Sequence, residues 1–326
     1  MKENIITKKI LKWYDINKRS LPWRKKISSQ KKQYFTLVSE FMLQQTQVAT
    51  VIPFFNKFIK NLPSLSKLAN VDEKKLIKLW EGLGYYSRAR NLKKTAQIIT
   101  RDFYGKIPKN YDQLKSLPGI GNYTASAIMA IAFNQPFIPL DGNIERVLKR
   151  YLYLKKNKEI QKDNLLKKKS VFGLSSRSSD YAQALMELGA LICKPSNPLC
   201  NQCPISKKCK SFRKKDFNLI KNTKKNINKY FILKVYKKDQ RYLLIKNTQF
   251  NFLKNLRIFP MEELHKPKKF NKSLNIKLSN INMNIKILHL KNVNKYSSST
   301  WIDQRKINNY MLPTFTKKVV KYLEKN

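Results

Sequence analysis

Two carboxylates and four thiols occupy positions in this sequence that suit reacting or ligating groups. Glu40 is the lone charge in Tyr34-Phe-Thr-Leu-Val-Ser-Glu-Phe-Met-Leu-Gln-Gln-Thr-Gln-Val48. On a helix beside Phe41, Met42 and Leu43 its carboxyl would be partly desolvated, and it would keep a proton near neutral pH, as a general acid must. Taken alone, the stretch favours the plain reading, a solvated helix residue. Asp141 lies in Phe137-Ile-Pro-Leu-Asp-Gly-Asn-Ile-Glu-Arg-Val-Leu148, between a proline-bearing extended stretch and a helix. It can serve there as an N-cap, or as a carboxylate kept ionised by the helix N-terminus and facing a developing positive charge. Both roles fit the position.

Cys193, Cys200, Cys203 and Cys209 are the only cysteines in the chain, separated by six, two and five residues. A tight set of four thiolates matches a complete ligand set for a soft metal, and the prolines among them stiffen a loop that must wrap it. On spacing alone, zinc and an iron-sulfur cluster both stay open. Two disulfides would need an oxidising compartment, and the opening Met1-Lys-Glu-Asn-Ile-Ile has no apolar h-region, so a reducing, cytoplasmic setting is expected.

Other segments suit nucleic acid. Leu117-Pro-Gly-Ile-Gly121 stands between two short helical patterns, as in a helix-hairpin-helix. Gly119 and Gly121 remove side chains where backbone turns sharply, and their amides with the next helix N-terminus can hold a phosphate without reading sequence. In Leu79-Trp-Glu-Gly-Leu-Gly-Tyr-Tyr-Ser-Arg-Ala-Arg-Asn-Leu92, Tyr85 and Tyr86 suit insertion between bases, with Arg88 and Arg90 anchoring phosphates, unless the tyrosines only pack in a core. The run Gln44-Gln-Thr-Gln47, read as part of an apolar helix, can fill the hole left by a flipped base. His265 and His289 stand apart from carboxylates and cysteines and receive no role.

The elements that must position these groups fall into two parts. From Ile5 to about Leu191 apolar residues recur at three and four, as in Phe35, Val38, Phe41, Met42 and Val48, Ile52, Phe55, which predicts packed helices. Lys210 to Lys229 is lysine- and asparagine-rich and reads as a linker. Beyond it, Tyr230–Tyr236 and Arg241–Ile245 flank the turn-like Lys237-Lys-Asp-Gln240, and Asn284–Leu290 alternates, so a β-rich domain closing on a helix, Thr314–Glu324, is expected. The 326 residues suffice for two cores, and no apolar run approaches the roughly 18 that span a membrane. The balance of 68 Lys+Arg against 20 Asp+Glu, +48 net, favours a polyanionic partner such as nucleic acid, although the joint abundance of Lys, Asn and Ile also reflects what an AT-biased genome writes at indifferent positions.

From about Leu11 to Cys209 the chain resembles the MutY-type adenine DNA glycosylases of the endonuclease III-like helix-hairpin-helix superfamily. The resemblance is carried by Leu21-Pro-Trp, Ser39–Pro53, Trp80–Leu92, Leu117–Gly121, Leu140-Asp-Gly-Asn143 and the cysteine loop. It implies a mainly α, two-lobed glycosylase domain over residues 1–209 with a [4Fe-4S] cluster on Cys193, Cys200, Cys203 and Cys209. A linker over 210–229 and a reduced Nudix-like β domain over 230–326 would follow. It implies a monomeric hydrolase that flips adenine out of double-stranded DNA opposite 8-oxoguanine or guanine and cleaves its N-glycosidic bond in base excision repair.

The resemblance also assigns residues. Glu40 matches the residue that protonates the purine ring, and Asp141 the one that stabilises the oxocarbenium-like sugar. Tyr123 and Asn143 match positions lining the site, and Gln45 and Tyr85 match wedge residues entering the duplex. Relatives that also cut the strand carry a lysine two residues after the second hairpin glycine, where this chain has Tyr123, which implies a monofunctional glycosylase. The family's C-terminal domain senses 8-oxoguanine with a Phe-Ser-His motif that this chain lacks. Phe231–Phe259 resembles that domain's opening strands, and the later part offers His289 and Tyr296-Ser-Ser-Ser-Thr300. The alternative is a non-catalytic DNA-binding protein on the same scaffold.

Overall fold

The computed structural model describes residues 3–155, 162–217, 226–265, 270, 273–278, 280–293, 296, 298–310 and 312–325. The chain divides into two compact units: residues 1–72 with 87–221, and residues 73–86 with 222–326.

The first unit is helical. Its helices are α1 (Ile5–Asn17), α2 (Ser29–Leu43), α3 (Val48–Asn61) and α4 (Leu65–Ala69). The next segment, α5 (Glu73–Trp80), belongs to the second unit. The helical unit resumes with α6 (Ser87–Asp102), α7 (Tyr111–Ser116), α8 (Asn122–Ile131), α9 (Gly142–Leu152), α10 (Lys162–Lys168), α11 (Ser178–Glu187) and α12 (Lys210–Arg213). One core cluster joins α1, α9 and α11 through Ile10, Tyr14, Ile144, Leu148, Tyr181 and Leu185, and Cys193, Cys203 and Cys209 pack against it. α2, α3 and α6 bury Leu37, Phe41, Phe55, Phe58, Leu92 and Ala96.

The hairpin between α7 and α8 is built by local sequence. Asn110 caps α7 by accepting from the amides of Asp112 and Gln113, each at 3.0 Å. After it, Gly119 adopts φ +80°, and a Cβ there would lie 2.8 Å from Phe41 Cε1 and 2.9 Å from Asn91 Cβ. The turn therefore needs glycine both for its backbone angle and for its contact with α2 and α6. Gly121 differs: its φ is −97°, and a Cβ would meet nothing within 4 Å.

The expected linker is shorter than its composition suggests. Residues 210–213 are helical, Ser211 is buried, and Tyr153 Oη donates to Asp216 at 2.9 Å. Lysine richness here accompanies a short helix packed on α9 rather than a free tether. Residues 218–225 of that stretch lie outside the described residues, and strand β1 already starts at Ile227.

Among the described residues the second unit is a seven-stranded sheet with two α-helices. β1 (Ile227–Lys238) and β2 (Arg241–Lys246) form a hairpin over Asp239-Gln240, with Asp239 at φ +52°. β3 (Arg257–Ile258), β4 (Met261–Leu264), β5 (Leu274–Leu278), β6 (Ile281–Leu290) and β7 (Ser299–Asp303) follow, in the order β3-β2-β1-β6-β5, with β4 on β1 and β7 on β2. β1 pairs parallel to β6. Phe231, Leu233 and Val235 alternate inward on β1 and meet Phe315, Val319 and Val320 of α13 (Thr314–Leu323) in one core.

Gly119→Ala is expected to lower unfolding stability by about 2 kcal/mol, because it adds backbone strain and a clash with buried Phe41, whereas Gly121→Ala changes it by less than about 0.5 kcal/mol. Urea unfolding midpoints of the two variants check this contrast.

Candidate active site

Glu40 is 4% exposed and accepts a hydrogen bond from Tyr123 Oη at 2.9 Å. Burial raises its pKa from the ordinary 4.5 to about 7; the Tyr123 hydrogen bond lowers it, nearby Asp141 raises it, and Arg24 lowers it. Glu40 is thus a desolvated carboxyl on α2, and the solvated role that the stretch alone favours is corrected by its packing. Tyr123 itself is pushed well above its usual 10 by burial and by the two carboxylates, so it stays a neutral donor.

Asp141 is the N-cap of α9. Its Oδ1 accepts from the Ile144 amide at 2.7 Å and its Oδ2 from Asn143 Nδ2 at 2.9 Å. Burial raises its pKa, against the Ile144 amide, the Asn143 side chain and backbone, and the charge of Arg146. The capping carboxylate lies within electrostatic reach of Glu40. Asn143 is held in turn by Arg146 Nη2, which donates to its Oδ1 at 2.8 Å, while Arg146 also donates to the carbonyls of Gly189 and Cys193, each at 2.7 Å.

Residues that the sequence reading missed complete the surroundings. Glu187, the last residue of α11, is fully buried and accepts from Arg19 Nε at 2.7 Å and Nη2 at 2.8 Å. Arg24 Nη1 lies 2.9 Å from Glu187 Oε1 but out of hydrogen-bond alignment, so Arg24 Nε and Nη1 have no hydrogen-bond partner among the described residues. The signal that singled out Glu40, one acid in the apolar stretch Tyr181–Ile192, applies equally to Glu187.

Arg88 is a correction. It is buried, and its guanidinium donates to the carbonyls of Phe41 (3.2 Å), Met42 (2.8 Å) and Gln44 and to Thr46 Oγ1 (3.1 Å). It satisfies acceptors that the end of α2 leaves open, instead of anchoring phosphate from the surface. Gln44–Gln47 is accordingly a turn between α2 and α3, not a helical run, with Gln45 exposed at φ +57°. Arg90 is half-buried on α6. Tyr85 is 48% exposed at φ +46°, and its segment belongs to the sheet unit.

The four cysteines are free thiols, and among the described residues no three His, Cys, Asp or Glu groups converge as they would on a single metal ion. Their chemistry nonetheless fits a cationic cluster. Burial pushes Cys203 up to about 12 and raises Cys200 and Cys209, and each of these thiols is raised further by neighbouring cysteines. Four mutually repelling thiolates need positive charge among them. Arg150 supplies part of it, with Nη1 3.5 Å from Cys193 Sγ, and donates to the carbonyls of Lys194 (2.6 Å) and Pro195 (2.7 Å).

A helix-hairpin-helix beside two carboxylates, both raised by burial, defines a class, and residues 38–170 match the HhH-GPD superfamily of base excision DNA repair proteins. The fold agrees with a thermostable thymine-DNA glycosylase (TM-score 0.57, 27% identity, 64% of this chain and 96% of that one). It also agrees with endonuclease III trapped on DNA (TM-score 0.54, 21% identity, 64% and 95%), which bears on fold alone. At the sequence level the chain is 41% identical over 259 residues to the adenine DNA glycosylase of Buchnera aphidicola subsp. Baizongia pistaciae, covering 77% of this chain and 72% of that protein. It is 40% identical over 213 residues to the human adenine DNA glycosylase, covering 62% and 38%. The chain belongs to the adenine DNA glycosylase family and is a DNA repair glycosylase, a hydrolase of N-glycosyl bonds.

Burial lifts the folded pKa of Glu40 above the unfolded value, so the folded protein holds this proton more tightly. The stability tied to the protonated carboxyl is fully present below about pH 4.5 and is lost as pH rises through about 7. Glu40→Gln is therefore expected to be more stable than the parent at pH 8, by up to roughly 3 kcal/mol, with the difference vanishing near pH 4.5. Urea midpoints measured across that range test it.

Proposed function

We propose that this chain removes adenine mispaired with 8-oxoguanine or guanine in double-stranded DNA. The observation that carries the reading is a buried Glu40 with a pKa of about 7, hydrogen-bonded by Tyr123 and within reach of Asp141. Protonated Glu40 delivers a proton to a ring nitrogen of the flipped base, and the glycosidic electron pair leaves with adenine. Asp141, oriented by Asn143 and the first turn of α9, stabilises the cationic sugar until water adds at its anomeric carbon and leaves an abasic site. Tyr123 has no amine, so no Schiff base forms and the strand stays intact.

Gln45 and Tyr85, both exposed on left-handed bends, enter the duplex where the adenine departs, and the amides around Gly119 and Gly121 hold its backbone with Arg90. Cys193, Cys200, Cys203 and Cys209 hold a [4Fe-4S] cluster, which supplies structural closure of the loop; Lys194, Lys207, Lys208 and Lys210 on and beside that loop are available to phosphates. The clustering of all four cysteines in one loop supports metal ligation in a reducing, cytoplasmic setting, and the protein works as a monomer. Among the described residues no helix is long and apolar enough to cross a membrane.

Glu40→Gln and Asp141→Asn are each expected to slow single-turnover adenine release by about 100-fold or more while mismatch binding persists. The wild-type rate should fall above about pH 7 as Glu40 loses its proton. Strand scission without alkali or heat would overturn the monofunctional reading, and failure to release adenine would leave a non-catalytic DNA-binding scaffold. The isolated protein should be brown, absorbing near ~400 nm, with Cys203→Ser losing iron; metal analysis showing zinc without iron would remove the cluster.

A further inference from the structure

Between Asp72 and Ser87 the chain contributes Glu73–Tyr86 to the sheet unit. α5 buries Leu76, Ile77, Leu79 and Trp80, and the bend after it is left-handed at Gly82 (φ 107°), Gly84 (φ 72°) and Tyr85 (φ 46°). Within the bend, the Leu83 amide donates to the Trp80 carbonyl at 3.1 Å and Trp80 Nε1 to the Gly84 carbonyl at 3.2 Å. A tyrosine at positive φ is strained and persists only where its surroundings hold it.

One of those holds comes from the other end of the sequence. Glu81, which opens the bend, divides its carboxylate between Lys78 on its own helix (Oε2, 3.1 Å) and Lys317 on α13 (Oε1, 2.6 Å). The Glu81 and Lys317 side chains are 16% and 29% exposed, so solvent screens this pair less than an open surface pair. Glu81 Oε1 has no aligned hydrogen bond, so the contact is one of charge at short range. Lys317 cannot drift freely, because neighbouring Phe315, Val319 and Val320 are locked in the sheet core and Thr316 Oγ1 donates to the Arg257 carbonyl at 2.8 Å.

We propose that Lys317 is a positioning residue: through Glu81, α13 holds the Glu81–Tyr86 bend in the conformation that displays Tyr85 to a DNA duplex. The sheet domain thereby acts on duplex distortion through the helical segment it has captured. This rests on the reading of Tyr85 as a wedge, and the experiment separates the two.

Full-length protein carrying Lys317→Met, which keeps the aliphatic stem, or Lys317→Arg, which keeps the charge, is compared with the parent by hydrogen exchange of the peptide spanning residues 81–86. Exchange should rise about fivefold in Lys317→Met and stay at parent level in Lys317→Arg. Unchanged exchange in Lys317→Met overturns the proposal. A mismatched duplex with 2-aminopurine beside the mismatch then reports unstacking. Lys317→Met should weaken binding about three- to fivefold with a matching loss of fluorescence, and add nothing in a Tyr85→Ala background. Additive losses would show that Lys317 does not act through Tyr85. Parent-level unstacking by Tyr85→Ala, with the bend still loosened by Lys317→Met, would sink the wedge reading and leave the clamp standing.

Discussion

Exclusion of water from one carboxyl group organises the helical domain. A free carboxylate in a core of Leu37, Phe41 and Met42 would be prohibitive, so Glu40 resolves the conflict by holding its proton. The value of about 7 is a balance: burial and Asp141 push upward, while Tyr123 and Arg24 pull back. Asp141, the N-cap of α9, is also raised by burial, against the donors that surround it.

α9 ties that site to the cysteine loop. The loop is proline-rich and short of regular hydrogen bonds, so its carbonyls need outside donors. Arg146 and Arg150, one helical turn apart, supply them with planar forks that reach several acceptors at once. Gly189 permits the approach, since a Cβ there would stand 2.6 Å from Asn143 Cβ. The same Arg146 that grips the loop also grips Asn143, so the placement of Asp141 and the shape of the cysteine loop share one support.

The exposed left-handed bends follow a different rule. Gln45 and Tyr85 are displayed on bends whose backbones are left-handed at non-glycine residues, a conformation that needs external bracing. Near Gln45 the brace is Arg88, turned inward onto the end of α2. At Tyr85 it includes packing of α5 with the sheet unit.

The sequence by itself determined the helical and sheet halves, the turn within Lys237–Gln240, the hairpin turn at Gly119 and the cysteine set. Each of these is written in a short window, as periodicity, turn residues or spacing. Only tertiary structure decided that Glu40 is desolvated, that Arg88 serves the protein rather than phosphate, that Arg24 acts on both Glu40 and Glu187, and that Glu73–Tyr86 packs with a sheet formed more than a hundred residues later. An arginine carries the same five donors on a surface as in a core, and which acceptors it meets is set by how distant segments pack, a choice no local window contains.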